Sequence, residues 1–114
     1  ERVDYINLHG TASRSNDSSE DTAVMAVFGD ATPCSSTKGL TGHALGAAGA
    51  IEAIITAIAL EDGFMPVGAN TQARDPALHA DYLVEPRGDA PRIAMSNSFG
   101  FGGANCALLL GLAA

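Results

Sequence analysis

Three groups of polar side chains lie where sites are usually built, at the ends of predicted secondary-structure elements. His9 follows a strand predicted over Val3–Leu8, Lys38 and His43 precede a long apolar segment, and a glycine-rich loop spans Asn97–Asn105. Imidazole and amino groups donate hydrogen bonds and exchange protons, so these residues suit hydrogen-bonding or proton-transfer chemistry. A single histidine at such a place is more often a packed or capping residue. The joint pattern is what predicts a functional site.

Two other kinds of site are disfavoured by spacing. A zinc site would draw on three histidines and two cysteines, yet no pair has the spacing of zinc ligands: His9, His43, His79, Cys34 and Cys106. The loop sequence GFGGAN lacks the third glycine of the dinucleotide fingerprint and leads into a predicted strand rather than a helix. Neither cysteine has an activating neighbour in the sequence, so both are expected to be ordinary packed or partly exposed thiols.

The elements that must position these residues follow from hydropathy and turn signals. Beyond the first strand, we predict a helix over Ser18–Phe28, capped by Ser18 or Ser19 and ended by Gly29. A short polar segment is expected at Pro33–Thr37. Three further strands are predicted, one of them short and two flanking the glycine loop Phe99–Gly103: Tyr82–Val84, Arg92–Ser96 and Asn105–Gly111.

The segment Ala44–Leu60 is predicted to be a buried helix. It carries one charge, Glu52, and its apolar residues surround the helix rather than forming a stripe. A membrane span is disfavoured, because the segment falls short of about 20 residues, is rich in alanine and glycine, and holds a carboxylate near its middle. Such a helix needs two covering layers, and the few predicted strands are too few to supply both.

The composition is that of a globular domain. Of 114 residues, 46% are hydrophobic and 17% charged, which disfavours disorder. Six basic residues against thirteen acidic ones give a formal net charge of −7, and the basic residues are scattered, so nucleic acid is not an expected partner. Two cysteines and no apolar, cleavable leader favour a cytoplasmic location. The chain opens at Glu1 rather than Met, so we expect a piece of something longer.

Three motifs, taken in order and spacing, resemble the C-terminal part of the β-ketoacyl synthases, the condensing enzymes of fatty-acid and polyketide synthesis. The motifs are HGTAS at His9–Ser13, SSTKGLTGHALGAAGAIEA at Ser35–Ala53 and SNSFGFGGAN at Ser96–Asn105. The resemblance implies a thiolase-like layered α/β/α/β/α sandwich, with residues 1–114 forming a partial C-terminal ketosynthase domain. It also implies that the helix of Ala44–Leu60 lies between two sheets. Asn16-Asp17 is similar to the dissociated fatty-acid type rather than to modular polyketide synthases.

The resemblance also implies the catalytic residues. His9 and His43 are the histidines that hold the thioester carbonyl of a malonyl group during decarboxylation, and Lys38 is the family's active-site lysine. Two neutral imidazole donors would stabilise the enolate oxygen as an oxyanion hole does, and a helix start would keep His43 neutral.

Glu52 matches a buried acid of the family. An isolated buried carboxylate is costly, so we expect a partner for it and choose Lys38. On one helix, the nine-residue spacing from His43 would point Glu52 the other way, which favours a structural role for Glu52.

Further positions are implied by the same resemblance. Asp17 and Glu20 match supporting acids, although Glu20 is equally well explained as a first-turn helix acid. Thr11 and Ser13 match hydroxyls that contact the phosphopantetheine arm, with Ser13 where the family usually has threonine. Phe101 matches an aromatic gate in the flexible glycine loop. Four residues match positions near a monovalent cation: Asn7, Glu52, Ser96 and Asn97.

Substrates and partners are implied as well. They are malonyl and acyl thioesters, an acyl carrier protein with its phosphopantetheine arm, the N-terminal half of the same synthase and a second copy in a homodimer. No tightly bound cofactor is expected. The family's nucleophilic cysteine belongs to the N-terminal half, so these residues alone are expected to be inactive, marginally stable and prone to self-association. The alternative is a non-catalytic partner subunit of the chain-length-factor kind, although such partners often lose the site residues present in this chain.

Overall fold

The structure, a computed structural model, describes residues 2–113 and contains one five-stranded mixed sheet flanked by helices. The strands are β1 (Tyr5–Asn7), β2 (Pro33–Ser35), β3 (Asp81–Tyr82), β4 (Ile93–Phe99) and β5 (Asn105–Gly111). The helices are α1 (Arg14–Phe28), α2 (Lys38–Thr41) and α3 (Ala48–Asp62), with a 3-10 turn at Leu45–Ala47 before α3. The predicted α/β class is confirmed.

Within the sheet the strand order is β3-β2-β1-β4-β5, which places β1 at the centre. β1 pairs in parallel with β2 and β4, β2 pairs in parallel with β3, and β5 returns antiparallel to β4. The register sets Asn7 beside both Ser35 and Ser96. Because the carboxyl ends of parallel strands meet at one edge, the segments that follow β1, β2 and β4 converge there.

α1 covers one face of the sheet. Ile6, Leu8 and Cys34 form a buried cluster with Val24 of α1, while Tyr5 belongs to the cluster on the opposite face. This division follows from the alternation of side chains along a strand. The structure thus has one helix layer on each side of β1.

The start of α1 corrects the sequence prediction, and its end confirms it. Ser13, not Ser18 or Ser19, is the cap, and its Oγ accepts the backbone N–H of Asn16 at 3.2 Å. Residues 14–17, which lie before the predicted helix, form its first turn. Gly29 ends the helix with a φ of 69°, as predicted.

α3 packs on the other face but is buried along one side only. Its buried residues recur at helical spacing and contact the sheet: Ala48, Glu52, Thr56, Ala59 and Leu60. On its outer side Ile54 is 61% exposed and Ile58 is 45% exposed. The prediction of a helix buried all round and starting at Ala44 is therefore wrong for this chain by itself. The structure supplies one of the two covering layers that the apolar pattern requires.

The structure contains a strand, β2, where the sequence predicts a polar segment. Cys34 and Ser35 are both fully buried on it. The hydroxyl of Ser35 lies 2.6 Å from that of Tyr5, so this polar group is satisfied inside the protein. Hydropathy does not reveal a strand whose buried side chains are a thiol and a hydroxyl.

The hairpin around the glycine loop is confirmed, with one difference. β4 continues past the predicted end at Ser96 to Phe99, so Asn97 and Phe99 lie on the strand rather than in the loop. The short strand β3 lies at Asp81–Tyr82, close to the predicted Tyr82–Val84. Within residues 2–113, no helix has the length and apolar character needed to cross a membrane.

Candidate active site

The predicted histidines and lysine come together beyond the carboxyl end of β1. His9 follows β1, Lys38 begins α2 shortly after β2, and the end of β4 brings Phe99 beside them. The ring centroids of His9 and His43 lie 5.6 Å apart, and those of His9 and Phe99 lie 5.4 Å apart, both edge to face. The residues whose joint pattern predicted a site thus form one cluster.

The surroundings of His9 favour its neutral form. Burial lowers the pKa of His9 from its usual value, and the positive charge of Lys38 lowers it further. The Nζ atom of Lys38 lies 3.4 Å from Nδ1 of His9. An ammonium group can only donate, so Nδ1 is the acceptor and the proton of the neutral ring is assigned to Nε2.

His43 reaches the same tautomer by a different route. Its Nδ1 accepts the backbone N–H of Leu45 at 3.2 Å, which again assigns the ring proton to Nε2. The prediction that a helix start keeps His43 neutral is wrong in its geometry, because α3 begins only at Ala48. A local turn orients this ring instead. His43 is also exposed, so a molecule bound at the cluster has access to it.

The expected pairing of Lys38 with Glu52 is present and buried. The side chains are 6% and 2% exposed, and Nζ of Lys38 donates to Oε1 of Glu52. Nζ also donates to the backbone oxygen of His9, so with the contact to Nδ1 all three ammonium protons have acceptors. Burial raises the pKa of Glu52, and the hydrogen bond and charge of Lys38 oppose that rise.

Glu20 holds the turn that follows β1. Its carboxylate accepts the backbone N–H of His9 at 2.8 Å and that of Gly10 at 2.9 Å, and Nδ2 of Asn97 donates to it at 3.4 Å. The explanation of Glu20 as a first-turn helix acid is wrong, because α1 begins at Arg14 and Glu20 is 3% exposed on its inner side. Burial raises the pKa of Glu20, and its hydrogen-bond donors oppose the rise.

The other residues matched by the motifs lie around this cluster or apart from it. Asp17 is in the first turn of α1 and accepts a hydrogen bond from Asn16 at 3.2 Å. The hydroxyls of Thr11 and Ser13 are 3.0 Å apart at the start of α1. Phe101 is 95% exposed in the glycine loop, so the structure does not bring it to the histidines.

Phe99 is the aromatic residue that contacts His9, and the sequence analysis missed this role. Asn97 and Phe99 are two positions apart on β4, so they share one face of the sheet, the face that meets Glu20 and His9. Extending the predicted strand to Phe99 would have revealed this alternation.

Four buried residues carry polar side-chain atoms without partners. Among the residues described, Asn7 Oδ1 and Nδ2, Ser96 Oγ, Glu52 Oε2 and Thr37 Oγ1 have no hydrogen bond. Asn7 and Ser96 are neighbours in the β1–β4 register. Unpaired buried polar groups are rare in proteins. Hard cations bind to neutral and carboxylate oxygen ligands, such as those of these residues. The side chain of Asn97 lies on the other face of β4, with Glu20, and does not join this set.

Neither cysteine resembles an activated nucleophile. Cys34 is buried on β2, and burial raises its pKa to about 12, so the thiol stays protonated at neutral pH. Cys106 is exposed on the edge strand β5, where it pairs with Ser98 of β4. In residues 2–113, no three His, Cys, Asp or Glu side chains are grouped so as to hold a metal ion.

Comparisons with known proteins agree with these features. A family profile described as Beta-ketoacyl synthase, C-terminal domain, matches residues 1–72. Nodulation protein E of Rhizobium meliloti is 43% identical over 112 residues, which covers 95% of this chain and 28% of that protein. The 3-oxoacyl-[acyl-carrier-protein] synthase 2 of Coxiella burnetii is 45% identical over 114 residues, covering 96% of this chain and 28% of that enzyme.

Solved structures agree as well. A ketosynthase in complex with its chain length factor from Xenorhabdus doucetiae superposes with a TM-score of 0.91 at 46% identity, over 97% of this chain and 29% of that one. A β-ketoacyl synthase from Burkholderia phymatum STM815 gives a TM-score of 0.92 at 36% identity, over 98% and 28%. The thiolase-like fold expected from the motifs is thus confirmed. The chain spans about 28% of the length of these two curated relatives. It belongs to the β-ketoacyl synthase family and forms part of the C-terminal half of that fold.

Proposed function

We propose that this chain supplies the histidine and lysine half of a β-ketoacyl synthase active site, as a partial C-terminal ketosynthase domain over residues 1–114. The observation that carries the proposal is the pair of imidazoles, His9 and His43, 5.6 Å apart and each with Nδ1 occupied as an acceptor. Each neutral ring therefore keeps an Nε2–H to donate. Two such donors stabilise an oxygen on which negative charge develops.

Decarboxylation of a malonyl thioester needs such an oxygen site. The bond between the α-carbon and the carboxylate breaks, carbon dioxide leaves, and the electron pair passes into an enolate whose charge lies on the thioester oxygen. Donors that bind this oxygen more tightly as its charge grows lower the barrier. The α-carbon then attacks the carbonyl of an acyl thioester held on a cysteine elsewhere in the synthase, and the cysteine thiolate leaves.

Lys38 acts on His9 rather than on the substrate. Its ammonium group contacts Nδ1 and the backbone oxygen of His9, which fixes the ring tautomer. Its charge disfavours a second proton on that ring, and Glu52 compensates the charge inside the protein. Glu20 supports the same turn through its N–H groups. These contacts keep the His9 donor ready before substrate binds.

The malonyl and acyl groups would arrive on the phosphopantetheine arm of an acyl carrier protein. Thr11 and Ser13 are proposed to contact this arm, because their hydroxyls lie together at the start of α1, beside the His9–Gly10 turn. Phe101 is proposed as the gate of the glycine loop. In a complete, homodimeric synthase the N-terminal half would cover the outer side of α3, where Ile54 and Ile58 are exposed.

Asn7, Ser96 and Glu52 are proposed to hold a monovalent cation. Their unpaired buried oxygens fit such an ion, which would compensate the second carboxylate oxygen of Glu52. The role of the cation would be structural, between β1, β4 and α3. Asn97 would contribute no side-chain ligand, because its amide bonds to Glu20.

A non-catalytic partner subunit of the chain-length-factor kind is the competing proposal. It is prompted by the similarity to a ketosynthase solved with such a partner. The ordered contacts of His9, Lys38 and His43 favour the catalytic role, since a partner subunit has no use for two oriented imidazole donors.

The pH dependence of carbon dioxide release tests the proposed function. Because burial and Lys38 lower the pKa of His9, the neutral ring should persist as the pH falls through the usual histidine value of about 6.5. Protonation below that point would set Nδ1–H against the Lys38 ammonium group. We expect the rate with malonyl carrier protein, measured on the complete synthase, to be retained at about pH 6.5 and lost at lower pH. A loss centred above pH 7 would contradict a neutral His9 donor.

A further inference from the structure

We propose that Ser36 is a positioning residue that fixes the His9–Gly10 turn relative to Lys38, an inference that rests on the proposed function. Ser36 lies in the short link between β2 and α2 and is 7% exposed. Among the residues described, its hydrogen bonds are to Gly10, Lys38 and Tyr82 and not to either imidazole ring. Its action would be on the backbone that carries His9 on one side and on the backbone that carries Lys38 on the other.

The hydroxyl of Ser36 bridges these two segments. Its Oγ donates to the backbone oxygen of Gly10 at 3.0 Å and accepts the backbone N–H of Lys38 at 3.4 Å. One hydroxyl proton and two lone pairs allow both contacts at once. The backbone N–H of Ser36 donates to the hydroxyl of Tyr82 at 3.3 Å, which anchors the link to the sheet.

Every other polar backbone group of the His9–Gly10 turn is held by a different residue. Glu20 accepts both N–H groups, and Lys38 donates to the carbonyl of His9. Among residues 2–113, the carbonyl of Gly10 accepts a hydrogen bond from Ser36 alone. Without that hydroxyl the turn would be held from the α1 side and by one flexible lysine side chain. The hydrogen-bonded bridge that the Ser36 hydroxyl makes between the Gly10 carbonyl and the Lys38 N–H would be lost.

The approach of the two segments requires a glycine at the turn. Gly10 has a φ of +43°, which disfavours any side chain, and a Cβ atom there would lie 2.6 Å from the Oγ of Ser36 and closer still to its Cβ. The hydroxyl contact is therefore made at close packing distance. Displacement of a catalytic donor by about 1 Å costs up to about 10²-fold in rate, so a small shift of this turn has a measurable effect.

Steady-state kinetics of Ser36→Ala in the complete synthase test the inference. We expect kcat for carbon dioxide release from malonyl carrier protein to fall about tenfold while KM stays within about twofold, because donor geometry is lost and substrate contacts are not. Ser35→Ala is the matched control. It removes the same group one residue earlier, where the hydroxyl bonds to Tyr5 and to the carbonyl of Pro66. This control should lower the melting temperature and leave kcat unchanged.

A second pair of variants separates positioning from simple destabilisation. Ser36→Thr keeps the hydroxyl and should restore most of kcat, and Ser36→Cys, a weaker donor, should lie between the wild type and alanine. The inference is overturned if Ser36→Ala, or Ser36→Cys where alanine does not fold, retains wild-type kcat. It is also overturned if the Ser35 and Ser36 variants lose kcat equally. A wild-type complete synthase that releases no carbon dioxide would instead reject the proposed function itself.

Discussion

Replacement of His9 or His43 by alanine in the complete synthase is expected to lower carbon dioxide release from malonyl carrier protein by about 10²–10³-fold each, the usual loss for one oxyanion donor. The reason is geometric. Both rings have Nδ1 engaged by a fixed donor, which leaves the Nε2–H of each ring to donate to the enolate oxygen in the proposed function. Release of labelled carbon dioxide from the carboxyl-labelled malonyl group measures the step directly.

Two further histidine variants sharpen that experiment. His79→Ala is the matched control, because His79 is exposed and its backbone N–H bonds to Asp21 rather than to the His9 cluster. Its rate should equal that of the wild type. Glutamine at position 43 places an amide N–H near the former Nε2 and should retain part of the rate, as expected for a donor. Wild-type rates for both His9→Ala and His43→Ala would refute the role of the histidine pair.

Loss of one member of the Lys38–Glu52 pair is expected to cost about 3–5 kcal/mol in the free energy of unfolding, because the other charge is left buried without a partner. Lys38→Met leaves the Glu52 carboxylate, which is 2% exposed, without its ion-pair partner. Glu52→Leu does the same to the ammonium group of Lys38. Denaturant unfolding of the complete synthase measures the loss. The double variant should recover much of the stability but not the activity, since His9 would still lack its Nδ1 contact.

The Asp81–Arg87 pair provides the comparison for this experiment. It is bidentate but more exposed, with side chains 15% and 44% accessible, so Arg87→Met should cost less than about 1 kcal/mol. If the double variant at Lys38 and Glu52 is no more stable than the single variants, the buried ion pair is not the reason for their loss of unfolding free energy.

Much of the fold could be predicted from patterns that hydropathy and glycine positions carry directly. The first strand, the helix end at Gly29 and the hairpin around Phe99–Gly103 are of this kind. β2 could not be predicted in this way, because its buried side chains are the thiol of Cys34 and the hydroxyl of Ser35. The hydroxyl is satisfied by Tyr5, on a distant segment of the chain. The all-round apolar pattern of α3 predicts a second covering layer. The residues described do not supply it, since Ile54 and Ile58 are exposed on the outer side of α3.

The site was predictable in its members but not in its geometry. Spacing and motif singled out His9, Lys38, His43 and Glu52. The tautomers depend on the contacts of Lys38 and Leu45 with the two rings, which no local pattern contains. Nor did the sequence indicate that Glu20 turns inward, because that depended on where α1 begins.

Mapping of the acylated cysteine decides whether this chain is the histidine and lysine half of a synthase. The complete protein is incubated with a labelled acyl thioester, digested, and the modified peptide identified by mass spectrometry. We predict label on a cysteine outside these 114 residues. The His9→Ala enzyme should still take up that label while releasing almost no carbon dioxide. Label on Cys34 or Cys106, or a complete protein that takes up no label, would contradict this function.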